Sequence, residues 1–263
     1  MLAVRWFPLL MLGLGYAVAL EYGQLNLTVV VPLGLLIMAG LCVTRFPHPA
    51  VRGFGHLLFI ALAVGLASHW LPGFHNGRAI AAVRLSPEAV PFSMYLNLDK
   101  PLIGAWVLLA CPWAAVWFGA HRTLRAIAWV LPPTLVVCLA LAYAFGITGW
   151  SPKWPVQSGV WMLNNLLLVS ITEELLFRGY VQGGLQRMLR NVRAGQTIAL
   201  LVAASSFGLV HSGGGWQWVM LATLAGIGYG MAWRLGGWPA AVVTHFGLNL
   251  AHFALFTYPM LDR

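Results

Sequence analysis

The chain has 263 residues, 60% of them hydrophobic and only 8% charged, with 15 Lys and Arg against six acids and a formal charge of +9. Roughly a quarter of a soluble domain is charged, so this set cannot clothe a globule of such length in water. The balance excludes a soluble enzyme, a disordered chain and a nucleic-acid-binding domain. It leaves an all-α, polytopic transmembrane bundle whose outer surface meets lipid.

In chain order, the first apolar run lies within Met1 to Leu20 and carries one Arg. Glu21-Tyr22-Gly23 is a poor cleavage site and further apolar segments follow at once, so the run reads as a retained span rather than a signal peptide. A helix needs about 20 apolar residues to cross about 30 Å of hydrocarbon. On that measure nine spans are expected near Trp6–Leu20, Leu25–Val43, Phe54–Leu71, Leu102–Ala120, Ile127–Trp150, Val160–Gly183, Thr197–Gly213, Trp216–Leu235 and Trp238–Tyr258. The first is short, so eight spans plus a re-entrant or surface segment is the alternative.

With the N-terminus inside and the spans alternating, the inner connections hold ten Lys and Arg and the outer ones five, from Arg5 inside to Arg263 outside. That asymmetry fits the positive-inside rule with the N-terminus in and the C-terminus out. The positive charge thus reads as topology and contact with anionic lipid, not as a nucleic-acid patch. The long connection Gly73–Pro101 holds three prolines and is a candidate cover for one mouth of the bundle. Leu185 to Arg193 places Arg187, Arg190 and Arg193 at spacing three beside apolar residues, the pattern of an amphipathic extension at the inner interface. Cys42, Cys111 and Cys138 lie singly in apolar runs and read as packing residues.

Three places carry polar groups that a lipid-facing helix would not. In Ile171 to Arg178, two adjacent carboxylates interrupt an apolar run; intramembrane ionisable groups face the bundle interior and are functional candidates. Glu174 and Arg178 are four apart and share a helix face, so they are expected to form a structural ion pair. Glu173 lies about 100° away around the helix and is left free for chemistry, as a general base. A packing network of all three is the plainer alternative. Next comes Phe207 to His211, with Ser205, Ser206 and Gly208 permitting close helix approach. Last, His245, Asn249 and His252 fall on one face of the final segment. The rise along each helix allows all three groups to meet at inner to middle depth.

Glu-Glu-x-x-x-Arg (Glu173, Glu174, Arg178), then Phe-x-x-x-His (Phe207, His211), then His-x-x-x-Asn (His245, Asn249), in this order on apolar segments, resembles the CAAX-protease and bacteriocin-processing family, also called CPBP or Abi. The family includes the type II CAAX prenyl endopeptidases. The match covers about Val160–His252 and divides the chain into motif-free helices over residues 1–158 and a catalytic core over residues 159–258, within one integral-membrane unit. The resemblance implies an intramembrane endopeptidase acting on a membrane-associated or prenylated protein or peptide. Glu173 and His211 would activate a water, and His245 and Asn249 would stabilise the oxyanion. It also raises a zinc-dependent form with Glu173, His211 and His245 as ligands. The metal-free reading is preferred, because no H-E-x-x-H pair is present. A transporter, or an immunity or scaffold protein on the same fold, is the non-enzymatic rival. Without organelle signals, a bacterial inner membrane is the expected location.

Overall fold

A computed structural model describes the backbone of residues 2–262 and the side chains of residues 9–262. Helix α1 (Leu2–Glu21) leads to a 3-10 turn (Leu27–Val29) capped by Asn26, whose side chain accepts from the Thr28 N–H at 2.9 Å. Helix α2 (Val30–Thr44) continues from that turn. Helix α3 (Pro49–Ala67) starts on a proline, where the missing N–H costs nothing. A hairpin follows, β1 (Arg78–Val83) antiparallel to β2 (Phe92–Tyr95). Then come α4 (Pro101–Ala110), α5 (Ala120–Ala144) and the long α6 (Ser158–Met188), and finally α7 (Gly195–Leu209), α8 (Trp216–Gly236) and α9 (Trp238–Leu255).

The expectation of eight or nine spans is overturned. Among the described residues, four helical stretches are long and apolar enough to cross a membrane: Leu27–Thr44, Pro49–Ala67, Ala120–Ala144 and Ser158–Met188. The reasons are local. The run Leu102–Ala120 breaks after Ala110, because Cys111 precedes Pro112 and is pushed out of the helical region. Helix α7 stops at Leu209, short of a full crossing. In α1 the described apolar part is Leu9–Glu21. Helices α8 and α9 have the length, but α8 is studded with glycine and α9 carries Thr244, His245, Asn249 and His252. With nine alternating spans gone, the N-in, C-out orientation loses its basis; Arg263 and the side chain of Arg5, both part of that count, lie outside the described residues. An integral-membrane location stands. The four stretches present large apolar side chains outward, among them Ile37, Leu57, Val136 and Leu163, all more than 60% exposed.

Two packing centres share α6. On one side, α2, α3 and α4 meet around the stacked rings of Phe59 and Trp106 (3.7 Å, 8°), with Leu175 of α6 fully buried against them. On the other, α5, α7, α8 and α9 close around Tyr229 and Phe207, joined by Phe177 of α6. The Gly73–Pro101 connection is not a bare loop. Its hairpin sends Ile80, Leu85 and Met94 into a third apolar cluster with Trp161 of α6 and Phe253 of α9. At the far end, α6 stops at Met188 and turns follow, so no helix continues to Arg193.

Close approach of α7, α8 and α6 depends on glycine. A methyl on Gly208 would overlap the Thr223 hydroxyl and come within 2.6 Å of the Val219 carbonyl oxygen. Gly226 and Gly230, four apart on α8, let backbone carbonyls of α8 meet side chains of α6. Gly208→Ala is therefore expected to destabilise the folded protein by about 1–3 kcal/mol through overpacking. Gly159→Ala, with nothing within 4 Å of its added methyl, is the neutral control. Thermal unfolding of both variants in detergent checks this.

Candidate functional site

Helix α6 is wound unusually where the carboxylates sit. Two π-helical stretches, Asn165–Ser170 and Leu175–Gln182, flank a single α-helical segment, Ile171–Glu174. Such widened turns concentrate at functional sites, because they re-aim side chains that a regular helix would direct elsewhere. Along this stretch Asn165, Ser170, Thr172, Glu174, Arg178 and Gln182 are buried.

Glu174 and Arg178 are both wholly buried and pair at 3.0 Å, from Nη1 to Oε1. The other end of the guanidinium donates to the Gly226 carbonyl at 3.2 Å, and its plane lies 4.5 Å from the Phe207 ring centre and 5.1 Å from that of Tyr229. One turn on, Gln182 donates to the Gly230 carbonyl at 3.1 Å. A carboxylate, a carbonyl and two aromatic faces thus surround a charge that lipid alone could not accommodate.

Helix α9 meets this pair through His245, which Glu174 engages directly. The imidazole Nδ1 lies 2.8 Å from Glu174 Oε1, the same oxygen that Arg178 holds. A carboxylate so paired accepts, so Nδ1 carries the proton and Nε2 is left on the far side of the ring, 4.0 Å from Glu173 Oε2. The ring stacks on Tyr229 at 4.5 Å and 11°. Asn249, one turn along α9, donates to Asn165 Oδ1 of α6 at 3.2 Å, and Ser170 donates to the same oxygen at 3.4 Å. One further turn along, Phe253 stacks on Trp161 at 4.1 Å and 15°.

His211 does not lie within a helix. It sits on the turn just past the end of α7, where Gly213 to Gly215 redirect the chain into α8. Its Nδ1 donates to the Phe207 carbonyl at 2.8 Å, which leaves Nε2 as an acceptor. Glu173, His211, His245 and Asn249 all line one cavity of about 160 Å³, with His252 beside them. That is room for several water molecules. Most of the remaining wall is apolar, from Leu139, Val169, Leu221 and Leu248. Glu173 is partly exposed there, at 27%, while its neighbour Glu174 is sealed off.

The metal alternative does not fit this arrangement. Among the described residues no group of three or more His, Cys, Asp or Glu side chains is disposed to hold an ion. Asn165, Ser170, Gln182 and Tyr229 were not singled out by the sequence. Asn165 and Gln182 were findable, as amides inside an apolar run, with Gln182 four residues past Arg178. Nothing in the sequence marks Tyr229 as the ring beneath His245.

Removing either partner of the buried pair strands the other charge. Arg178→Ala and Glu174→Ala are each expected to cost about 3–5 kcal/mol. The measurement is the yield of monodisperse protein after detergent extraction, alongside unfolding temperature. Gln182→Leu should be milder, at about 1 kcal/mol.

Residues 155–251 match the family model described as "Type II CAAX prenyl endopeptidase Rce1-like". No curated protein and no solved structure matches the chain. The matched segment runs from just before α6 into α9 and contains all three motifs, with Glu173, His211, His245 and Asn249; His252 lies just beyond it. This part of the chain is accordingly an Rce1-like domain of the CAAX-protease and bacteriocin-processing family.

Proposed function

We propose that the protein is an intramembrane endopeptidase that hydrolyses a peptide bond of a membrane-associated or prenylated protein or peptide, with a water activated by Glu173 and His211. One observation carries this reading: Glu173, His211, His245 and Asn249, drawn from α6, the α7–α8 turn and α9, line a single cavity with space for water.

The chemistry follows from the state of each group. The bond from His211 Nδ1 to the Phe207 carbonyl leaves the Nε2 lone pair available. Together with the Glu173 carboxylate it takes a proton from water as the oxygen attacks the scissile carbonyl. Negative charge then develops on the carbonyl oxygen. The spare N–H of Asn249 and the Nε2–H of a protonated His245 donate to it, and they act strongly because the walls are apolar. Collapse of the intermediate breaks the C–N bond, and the proton held by the Glu173–His211 pair passes to the leaving amine. Glu174 touches no substrate in this scheme; it positions His245 and fixes which nitrogen faces the cavity.

Glu173→Gln and His211→Ala are each expected to lower cleavage of a membrane-embedded or prenylated reporter peptide by at least about 10²-fold, with unfolding temperature unchanged. Asn249→Ala should reduce kcat by roughly 10²–10³-fold, the usual effect of losing one oxyanion donor. Cleavage at the parental rate in the Glu173 or His211 variant, or proton-coupled flux in liposomes without any cleavage, overturns the reading.

A further inference from the structure

A second concavity, of about 950 Å³, opens where α6 ends, and the proposed reaction makes no use of it. Four arginines line it: Arg187, Arg190 and Arg193 around the end of α6, and Arg234 from the last turn of α8. The six acids of the chain lie elsewhere, and among the described residues none of these four arginines is paired with a carboxylate. The contacts they do make are neutral. Arg234 donates to Gln196 Oε1 at 2.9 Å, and the Arg187 guanidinium lies 5.4 Å from the centre of the Trp113 ring.

A second, independent observation concerns buried donors. Trp233 lines the same bowl and is only 8% exposed, yet its indole N–H has no hydrogen-bond partner among the described residues. The buried side-chain amide nitrogen of Gln186, also in the wall, is likewise unpartnered. An unmet buried donor is costly, so such groups point to something that accepts. The first turn of α7, with Gln196 and Thr197, adds the positive end of a helix dipole. Residues bearing guanidinium, indole and amide donors line one bowl, and as a set they suit an anion rich in acceptor oxygens.

We propose that this bowl binds a phosphate group, carried on the headgroup of an anionic phospholipid. Its position favours the lipid source over a dissolved ion. The 31-residue α6 exceeds the roughly 20 residues that cross the hydrocarbon, and the arginines cluster at its C-terminal end, which suits that end to headgroup level. Apolar side chains continue from the rim, with Met188 80% and Val192 46% exposed, and Ile198 and Leu201 exposed along α7. Acyl chains would lie against that face while the phosphate enters the bowl. A soluble phosphate would use the arginines and leave the rim uncovered.

The test uses the full chain in nanodiscs of phosphatidylcholine with or without phosphatidylglycerol, with lipid retained after release into mild detergent counted by native mass spectrometry. Phosphatidylglycerol should be retained in preference to phosphatidylcholine, at one molecule per chain. Arg190→Gln combined with Arg193→Gln, both exposed positions, should weaken retention by roughly tenfold or more, and Gln186→Leu should weaken it without any change in charge. In a separate arm, inorganic phosphate and glycerol phosphate are titrated against the lipid-free protein and unfolding temperature is read. A stabilisation by either, abolished in the double arginine variant, assigns the bowl to phosphate from the soluble source. No preference for phosphatidylglycerol together with no response to inorganic phosphate overturns the proposal, and this outcome needs only the parental protein.

Discussion

A guanidinium with no exposure to solvent is the constraint around which this bundle is arranged. A wholly buried charge such as Arg178 is costly unless its neighbours compensate it, so each neighbour has to answer it. Glu174 answers with a carboxylate, α8 with the Gly226 carbonyl, and Phe207 and Tyr229 with their ring faces. Satisfying Arg178 turns Glu174 away from the cavity. Its neighbour Glu173 is turned toward it. The division between a sealed carboxylate and an accessible one is thus a by-product of solvating one cation without water.

The same carboxylate oxygen links scaffold to chemistry. Glu174 Oε1 holds both Arg178 and His245, so the ion pair within α6, whose guanidinium also donates to α8, orients the imidazole of α9. An aromatic floor, Tyr229, prevents the ring from tilting. On the opposite wall His211 is fixed by a backbone carbonyl of its own chain segment rather than by an acid. Two histidines in one cavity are therefore held through the same ring nitrogen by partners of different charge.

What the sequence made legible was the set of polar side chains that interrupt apolar runs, and the spacing of four between Glu174 and Arg178. Those are properties of composition and helix period, and the cavity draws its polar lining from the same residues. The number of crossings was not legible. Hydropathy registers an apolar run whether or not the backbone within it stays helical, and Pro112 divides one such run into a ten-residue helix and an irregular segment. Contacts between helices were illegible for a different reason. The amide pair of Asn165 and Asn249 and the stack of Tyr229 on His245 join residues 84 and 16 positions apart, and no local pattern specifies such partners. The π-helical winding of α6 shifts side chains off the regular 100° step, which period arithmetic cannot anticipate.

The seam between α6 and α9 has an orderly composition. Proceeding up one helix and down the other, it passes from stacked rings (Trp161 and Phe253) to a pair of amides (Asn165 and Asn249) to an imidazole–carboxylate hydrogen bond (Glu174 and His245). On α9 these fall one helical turn apart, and the three rungs differ in kind: ring stacking, an amide–amide hydrogen bond and an imidazole–carboxylate hydrogen bond. Sliding α9 by a single turn would mismatch all three at once. The seam works as a keyed zip with one setting, closed by an aromatic tooth under the hairpin and a hydrogen-bonded one at the heart of the bundle.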